Sequence, residues 1–235
     1  MRIADNIEML EVGGGMGGGG TVYLTLAWDE DSLVLFDAGF PGQKESIIKA
    51  IGDAGRDARK LTHIILTHQD MDHVGCVKDM LALAPSAKVL MHEEEAPYLD
   101  GRKTPVKLAA MLADYDNLPP DRKKFCDMLK AGMANFLIKI DQTLTDGEAL
   151  PMCGGIEVVH TPGHTPGHIC LFLKESGVLV AGDALNIADG KVAGPNPQHT
   201  YDMEQGLKSE QKVRALPLRG VIAYHGGFAR IAPRS

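Results

Sequence analysis

The chain has no run of lysine or arginine longer than the three residues Arg122-Lys123-Lys124. Its 24 basic residues are scattered among 31 acidic ones, giving a formal net charge of −7. Binding a phosphate backbone needs clustered cations, so nucleic acid is not an expected partner. No stretch approaches the roughly 18 uncharged apolar residues of a spanning helix, so no membrane association is expected either. The first fifteen residues, MRIADNIEMLEVGGG, carry acids early and lack a long apolar segment, which speaks against a secretory leader. Only four cysteines occur, Cys76, Cys126, Cys153 and Cys170, and none are in CxxC spacing. That pattern predicts reduced, buried thiols and a cytoplasmic protein. The glycine-rich stretch from Gly13 to Gly20 is not followed by G-K-[ST] or by a helical pattern. It therefore reads as a flexible hairpin loop rather than a phosphate-binding loop, although glycine there would allow close backbone approach to a site.

With 235 residues, 44% of them hydrophobic, the chain has ample material for a sizeable core. Short strands are expected over 21–27 and 32–36, and a helix over 43–54, where Ile47, Ile48 and Ile51 recur at helical spacing. A buried strand over 61–67, a helix over 74–84 ending at Pro85, and a strand over 88–91 complete an alternating strand–helix–strand layer. Residues 93–140 break this rhythm. Helical patterning at 106–113 and 122–130, interrupted by Leu118-Pro119-Pro120, predicts an inserted helical hairpin. Strands are expected again at 156–160, 169–173, 178–181 and 220–224, with a last helix near 203–215. We expect one domain over 1–235.

Four features fall at the ends of expected strands: His68-Gln69-Asp70-Met71-Asp72-His73; His160-Thr161-Pro162-Gly163-His164-Thr165-Pro166-Gly167-His168; Gly182-Asp183; and His225-Gly226-Gly227. Loops leaving strand C-termini are where α/β folds build their sites. Imidazoles and carboxylates gathered there suit zinc, manganese or iron. His63, inside an apolar strand, reads as a packed or supporting residue. His92 reads as a surface residue, and Glu93-Glu94-Glu95 as the solvated start of a helix. The loop carrying His199 and Tyr201 either lines a substrate pocket or is simply solvated.

These motifs together resemble the metallo-β-lactamase-fold superfamily, whose usual first motif is HxHxDH. Phe36-Asp37-Ala38-Gly39 resembles that fold's structural aspartate turn. The resemblance implies a four-layer αβ/βα sandwich and a site for two divalent metal ions, zinc foremost, with iron or manganese compatible. It assigns His68, Asp70 and His164 to the first metal position and Asp72, His73 and His225 to the second, with Asp183 bridging. Asp72 and Asp183 would be the catalytic carboxylates and Asp37 would brace the metal loops; His160 and His168, which flank His164, read as supporting hydrogen-bond residues rather than ligands. The implied function is a hydrolase using a dinuclear-site hydroxide on a small-molecule ester, thioester or lactone, as in glyoxalase II-type thioesterases and acyl-homoserine lactonases.

Asp70 is a departure from the family pattern, which has histidine there. Two divalent ions against three aspartates leave a formal +1, where two aspartates would leave +2. A harder oxygen ligand shifts preference toward iron or manganese, and flavodiiron proteins carry glutamate at this position. Iron-dependent redox chemistry, either flavodiiron-like or as a thiol dioxygenase, is therefore an alternative. Phosphodiester hydrolysis and a metal-binding sensor or scaffold are the others.

Overall fold

The computed structural model describes residues 1–13, 20–132 and 136–232, so the glycine-rich stretch lies almost wholly outside the described residues. One sheet contains seven strands in sequence order: β1 (Arg2–Ala4), β2 (Ile7–Val12), β3 (Val22–Trp28), β4 (Leu33–Phe36), β5 (His63–Leu66), β6 (Lys88–His92) and β7 (Gln142–Leu144). Pairing is antiparallel from β1 to β4 and parallel from β4 to β7. The second sheet uses β8 (Ala149–Leu150), β9 (Ile156–His160), β10 (Ile169–Leu173), β11 (Val178–Val180), β14 (Gly220–Ala223) and β15 (Gly227–Arg230). A two-stranded ribbon, β12 (Asn186–Ala188) and β13 (Lys191–Ala193), stands apart.

Period-2 alternation assigns each strand's side chains to two different cores. Val34, Phe36 and Ile65 from the first sheet meet Ile169, Leu171, Leu173, Val178 and Val180 from the second, filling the space between the sheets. Their neighbours Leu35, Ile64 and Leu66 face outward onto helices α1 (Lys44–Asp53) and α3 (Val77–Leu83), through Ile47, Ile51, Val77 and Met80. On the far side, Cys170, Phe172 and Leu179 pack with Val213 of helix α7 (Met203–Arg214). The order helix, sheet, sheet, helix is the expected four-layer sandwich. Ile47 and Ile51 are fully buried, and each such side chain stabilises the fold by about 1.5–3 kcal/mol.

The expected helix over 74–84 is corrected to two pieces. Helix α2 (Met71–Val74) starts earlier, and a break at Gly75-Cys76 separates it from α3. There the Gly75 and Cys76 amides donate to Gly39 O and Ala38 O, at 2.8 and 3.0 Å, instead of to the preceding turn. A Cβ at position 75 would lie 2.5 Å from Phe40 C and closer still to Pro41 N, so only glycine allows this approach. Between β6 and β7 the chain leaves the sheet as α4 (Ala96–Leu99), α5 (Val106–Ala113) and α6 (Pro120–Gly132), the helical insertion expected near 93–140. Among the described residues, no helix is long and apolar enough to cross a membrane.

Candidate metal centre

Strand β5 delivers Thr67 and His68, both fully buried, to the sheet edge. Asp37, just after β4, organises the loop that follows. It accepts from Thr67 N (2.8 Å), Thr67 Oγ1 (2.9 Å) and His73 Nδ1 (2.9 Å). Asp37 sits at φ 60°, a conformation a short polar side chain tolerates better than most. Anchoring His73 by Nδ1 turns Nε2 toward the site, where it is buried without a hydrogen-bond partner among the described residues. Asp183 Oδ1 is orphaned in the same way and lies 3.5 Å from it. Two facing, buried, unpartnered ligand atoms are what a cation site leaves when only protein is considered.

Two clusters present one ligand atom per residue, all within 4.8 Å of one another: His68–His164–Asp183 and Asp72–His73–His225. Asp183 sits between them, its Oδ2 3.4 Å from His164 Nε2 and 3.5 Å from His225 Nε2. Burial, reinforced by the neighbouring His73, pushes the His68 imidazole down to about 4, so it is a neutral ring ready to ligate. Burial would raise the Asp183 carboxyl, but the surrounding histidines hold it well below the usual carboxylate range. Of the expected ligands, six fall in these clusters.

Asp70 falls in neither cluster. Its Oδ2 lies 3.2 Å from His68 Nε2 and 2.9 Å from His164 Nε2, beside the first cluster, and it also accepts from Lys107 Nζ. Lys107 comes from α5 and also stands 3.4 Å from His164 Nε2. Burial favours the protonated form of Asp70, but His68, His164 and Lys107 together hold its carboxyl well below the usual range.

Above the clusters lies a cavity of about 760 Å³. Asp70, Asp72, His164, Asp183 and His225 form its floor, and Leu108, Met111, Phe125 and Leu129 of the inserted helices roof it. His199 and Tyr201 are at its rim.

A family description, the metallo-beta-lactamase superfamily, matches residues 17–225. The chain belongs to the metallo-beta-lactamase superfamily. A probable metallo-hydrolase of Bacillus subtilis (strain 168), YflN, is 30% identical over 87% of this chain and 79% of its own. The hydroxyacylglutathione hydrolase GloC of Haemophilus influenzae is 28% identical over 88% of this chain and 86% of its own. The crystal structure of a metallo-beta-lactamase family protein from Thermus thermophilus superimposes with a TM-score of 0.75 at 24% identity, covering 97% of this chain and 76% of that one.

In this superfamily member the neighbouring residues correct two expectations. His92 is not on the surface. It is 2% exposed and stacks on His160, with ring centroids 4.1 Å apart and ring planes nearly parallel. His160 Nε2 in turn meets Pro166 O at 3.0 Å, holding the 160–168 loop. Glu95 is not solvated either. It is fully buried and accepts from Gln69 N (3.0 Å), Gln69 Nε2 (2.8 Å) and Gly167 N (2.8 Å), clamping two of the site's loops together. Gln69 Oε1 accepts from Val106 N at 2.8 Å and so fastens the roof to the same clamp. His168 braces Asp183, its Nε2 accepting from the Asp183 amide at 3.1 Å while Nδ1 meets Thr161 Oγ1 at 2.8 Å. His63 points elsewhere, to Thr62 Oγ1 at the opposite end of β5. The sequence reading missed Glu95, Gln69 and Lys107. Only the dense charge around Gln69 offered a hint of them.

Proposed function

We propose that this protein is a metal-dependent hydrolase acting on an ester, thioester or lactone whose acyl part is apolar. The observation that carries this reading is that residues of both ligand clusters, Asp72, His164, Asp183 and His225, line one cavity of about 760 Å³ that Leu108, Met111, Phe125 and Leu129 roof. The similarity to a probable metallo-hydrolase and to a hydrolase of hydroxyacylglutathione, a thioester, supports it. Membership of the superfamily and these relatives make an enzyme the working conclusion. We take residues 1–235 as one catalytic domain working in the cytoplasm on a small molecule, with the roof as an insertion.

His68, His164 and Asp183 would hold one ion, with Asp70 beside them, and Asp72, His73 and His225 would hold the other. The orphaned His73 Nε2 and Asp183 Oδ1 fit that role, and a set of imidazoles and carboxylates favours zinc while admitting iron or manganese. Two divalent ions, when bound, polarise a carbonyl and bring the ionisation of water near neutral pH. The protein's own groups do the rest. Asp37 fixes the His73 tautomer, and Asp72 and Asp183 provide carboxylates at the floor to take up a proton. Leu108, Met111 and Phe125 exclude bulk water and accept the acyl chain. The iron-redox alternative rests on Asp70 as an oxygen ligand, whereas the similar proteins described above carry hydrolase names. Leu108, Met111, Phe125 and Leu129 suit an acyl chain better than a phosphodiester.

The test is a panel of acyl-glutathione thioesters, lactones, p-nitrophenyl esters and a phosphodiester, run on the metal-bearing protein and after chelation. Turnover of the acyl substrates that chelation abolishes is expected. A flat response across the panel by protein carrying metal would remove the hydrolase reading.

A further inference from the structure

Lys107 and its partner Asp70 stand at the floor outside both ligand clusters. Its ammonium pairs with Asp70 Oδ2 and stands 3.4 Å from His164 Nε2, so it occupies the space those two atoms share. That space belongs to the His68–His164–Asp183 cluster, because Asp70 Oδ2 also lies 3.2 Å from His68 Nε2. Among the described residues the other cluster has no such occupant. The ion-pair partners of Asp72 are His73 and His225, whose nitrogens are themselves ligand atoms. The two halves of the site are therefore unequal. One meets a positive charge on its open side, while the other presents only candidate ligand groups.

The Lys107 side chain is 46% exposed and is attached to a cavity wall, so a change of rotamer can carry its ammonium away from Asp70 without disturbing α5. A divalent ion and an ammonium cannot share a few ångströms of a weakly solvated floor, because their repulsion grows as the local dielectric falls. We propose that Lys107 is a positioning residue that sets the order of metal loading: the Asp72–His73–His225 position fills first, and the His68–His164–Asp183 position fills only as Lys107 withdraws from Asp70 and His164. Withdrawal leaves the ammonium facing the cavity, so occupation of the His68–His164–Asp183 position and a cation in the substrate space become one event. This inference rests on the two-ion reading of the site.

The test is calorimetric titration of the chelator-treated full chain with Zn²⁺, with folding checked by circular dichroism, on wild type, Lys107→Met and Lys107→Arg. Wild type should bind two equivalents, the second about tenfold or more weaker than the first, on the scale of a hydrogen-bonded ion pair. Lys107→Met, of similar length and good helix propensity, should narrow that gap to about twofold or less, while Lys107→Arg keeps it. A residue that merely supports α5 would not move the ratio of the two affinities. Two equal equivalents in wild type, or an unchanged ratio in Lys107→Met, would overturn the loading order and leave the two-ion reading standing. A single equivalent in both proteins would overturn both.

Discussion

Removing the Glu95 carboxylate is a demanding perturbation because the group is buried and yet touches neither the cavity nor a ligand cluster. In Glu95→Ala three donors lose their acceptor in a region closed to water, and of these the Gln69 and Gly167 main-chain N–H groups cannot turn away as the Gln69 amide can. A buried donor left unsatisfied costs about 1–3 kcal/mol, so two of them amount to about 2–6 kcal/mol. Relief of the desolvated carboxylate offsets part of that, since burial pushes the Glu95 carboxyl above its usual range. The expected net loss is about 2–4 kcal/mol, a large fraction of the roughly 5–15 kcal/mol that holds a typical domain together. Glu95→Gln keeps one acceptor oxygen but turns an amide N–H₂ toward a donor, so it should fall between wild type and Glu95→Ala. Equilibrium urea unfolding followed by circular dichroism reads the loss as a lower midpoint at unchanged slope. A Glu95→Ala stability within about 0.5 kcal/mol of wild type, the range of ordinary surface substitutions, would refute the clamp.

Asp183→Asn removes the charge lying between the two clusters, and elemental analysis should show metal content falling to one ion per chain or fewer. Full occupancy would sink the ligand assignment. Gly75→Ala pushes a methyl group into Phe40 and Pro41 backbone and should lower stability by about 3 kcal/mol. An unchanged thermal midpoint would mean that the two turns do not approach so closely. In metal-free protein, burial would lower the His225 imidazole, but its bonds to Asp183 and Asp72 raise it to about 9. A raised folded value stabilises the protein below the unfolded pKa near 6.5, and that stability is lost as pH climbs through 9. Urea midpoints of chelated protein should therefore fall between pH 6.5 and 9, less steeply in His225→Gln, and a flat profile would contradict the contact.

Much of the architecture was legible because apolar residues state their own geometry. Strands 156–160 and 169–173 and helix 106–113 emerge with the bounds that period and punctuation suggest. The four loops that carry the candidate ligand residues were legible because each follows such a strand. Other features depend on what the fold brings against a residue. Nothing local distinguishes Glu95 from Glu93 and Glu94, which stay exposed. Glu95 is buried because loops from two different sheets close over it. Lys107 looks like any lysine on an amphipathic helix until α5 is laid across the site. The β12–β13 ribbon was a missed local signal, however. Asp189-Gly190, at φ 51° and 71°, is the turn dipeptide a tight hairpin favours.

The fastening of the roof has a consequence for how such a scaffold can be redesigned. Gln69 grips α5 through the Val106 main-chain N–H, a helix-start donor that would otherwise go unmet within the helix. A main-chain N–H is present whatever side chain follows it, so the grip does not depend on the roof's sequence. The cavity-facing residues of α5 and α6, Leu108, Met111, Phe125 and Leu129, can then be exchanged to suit a different acyl group while the anchor stays put. Proline at position 106 is the exception, since it has no N–H to offer.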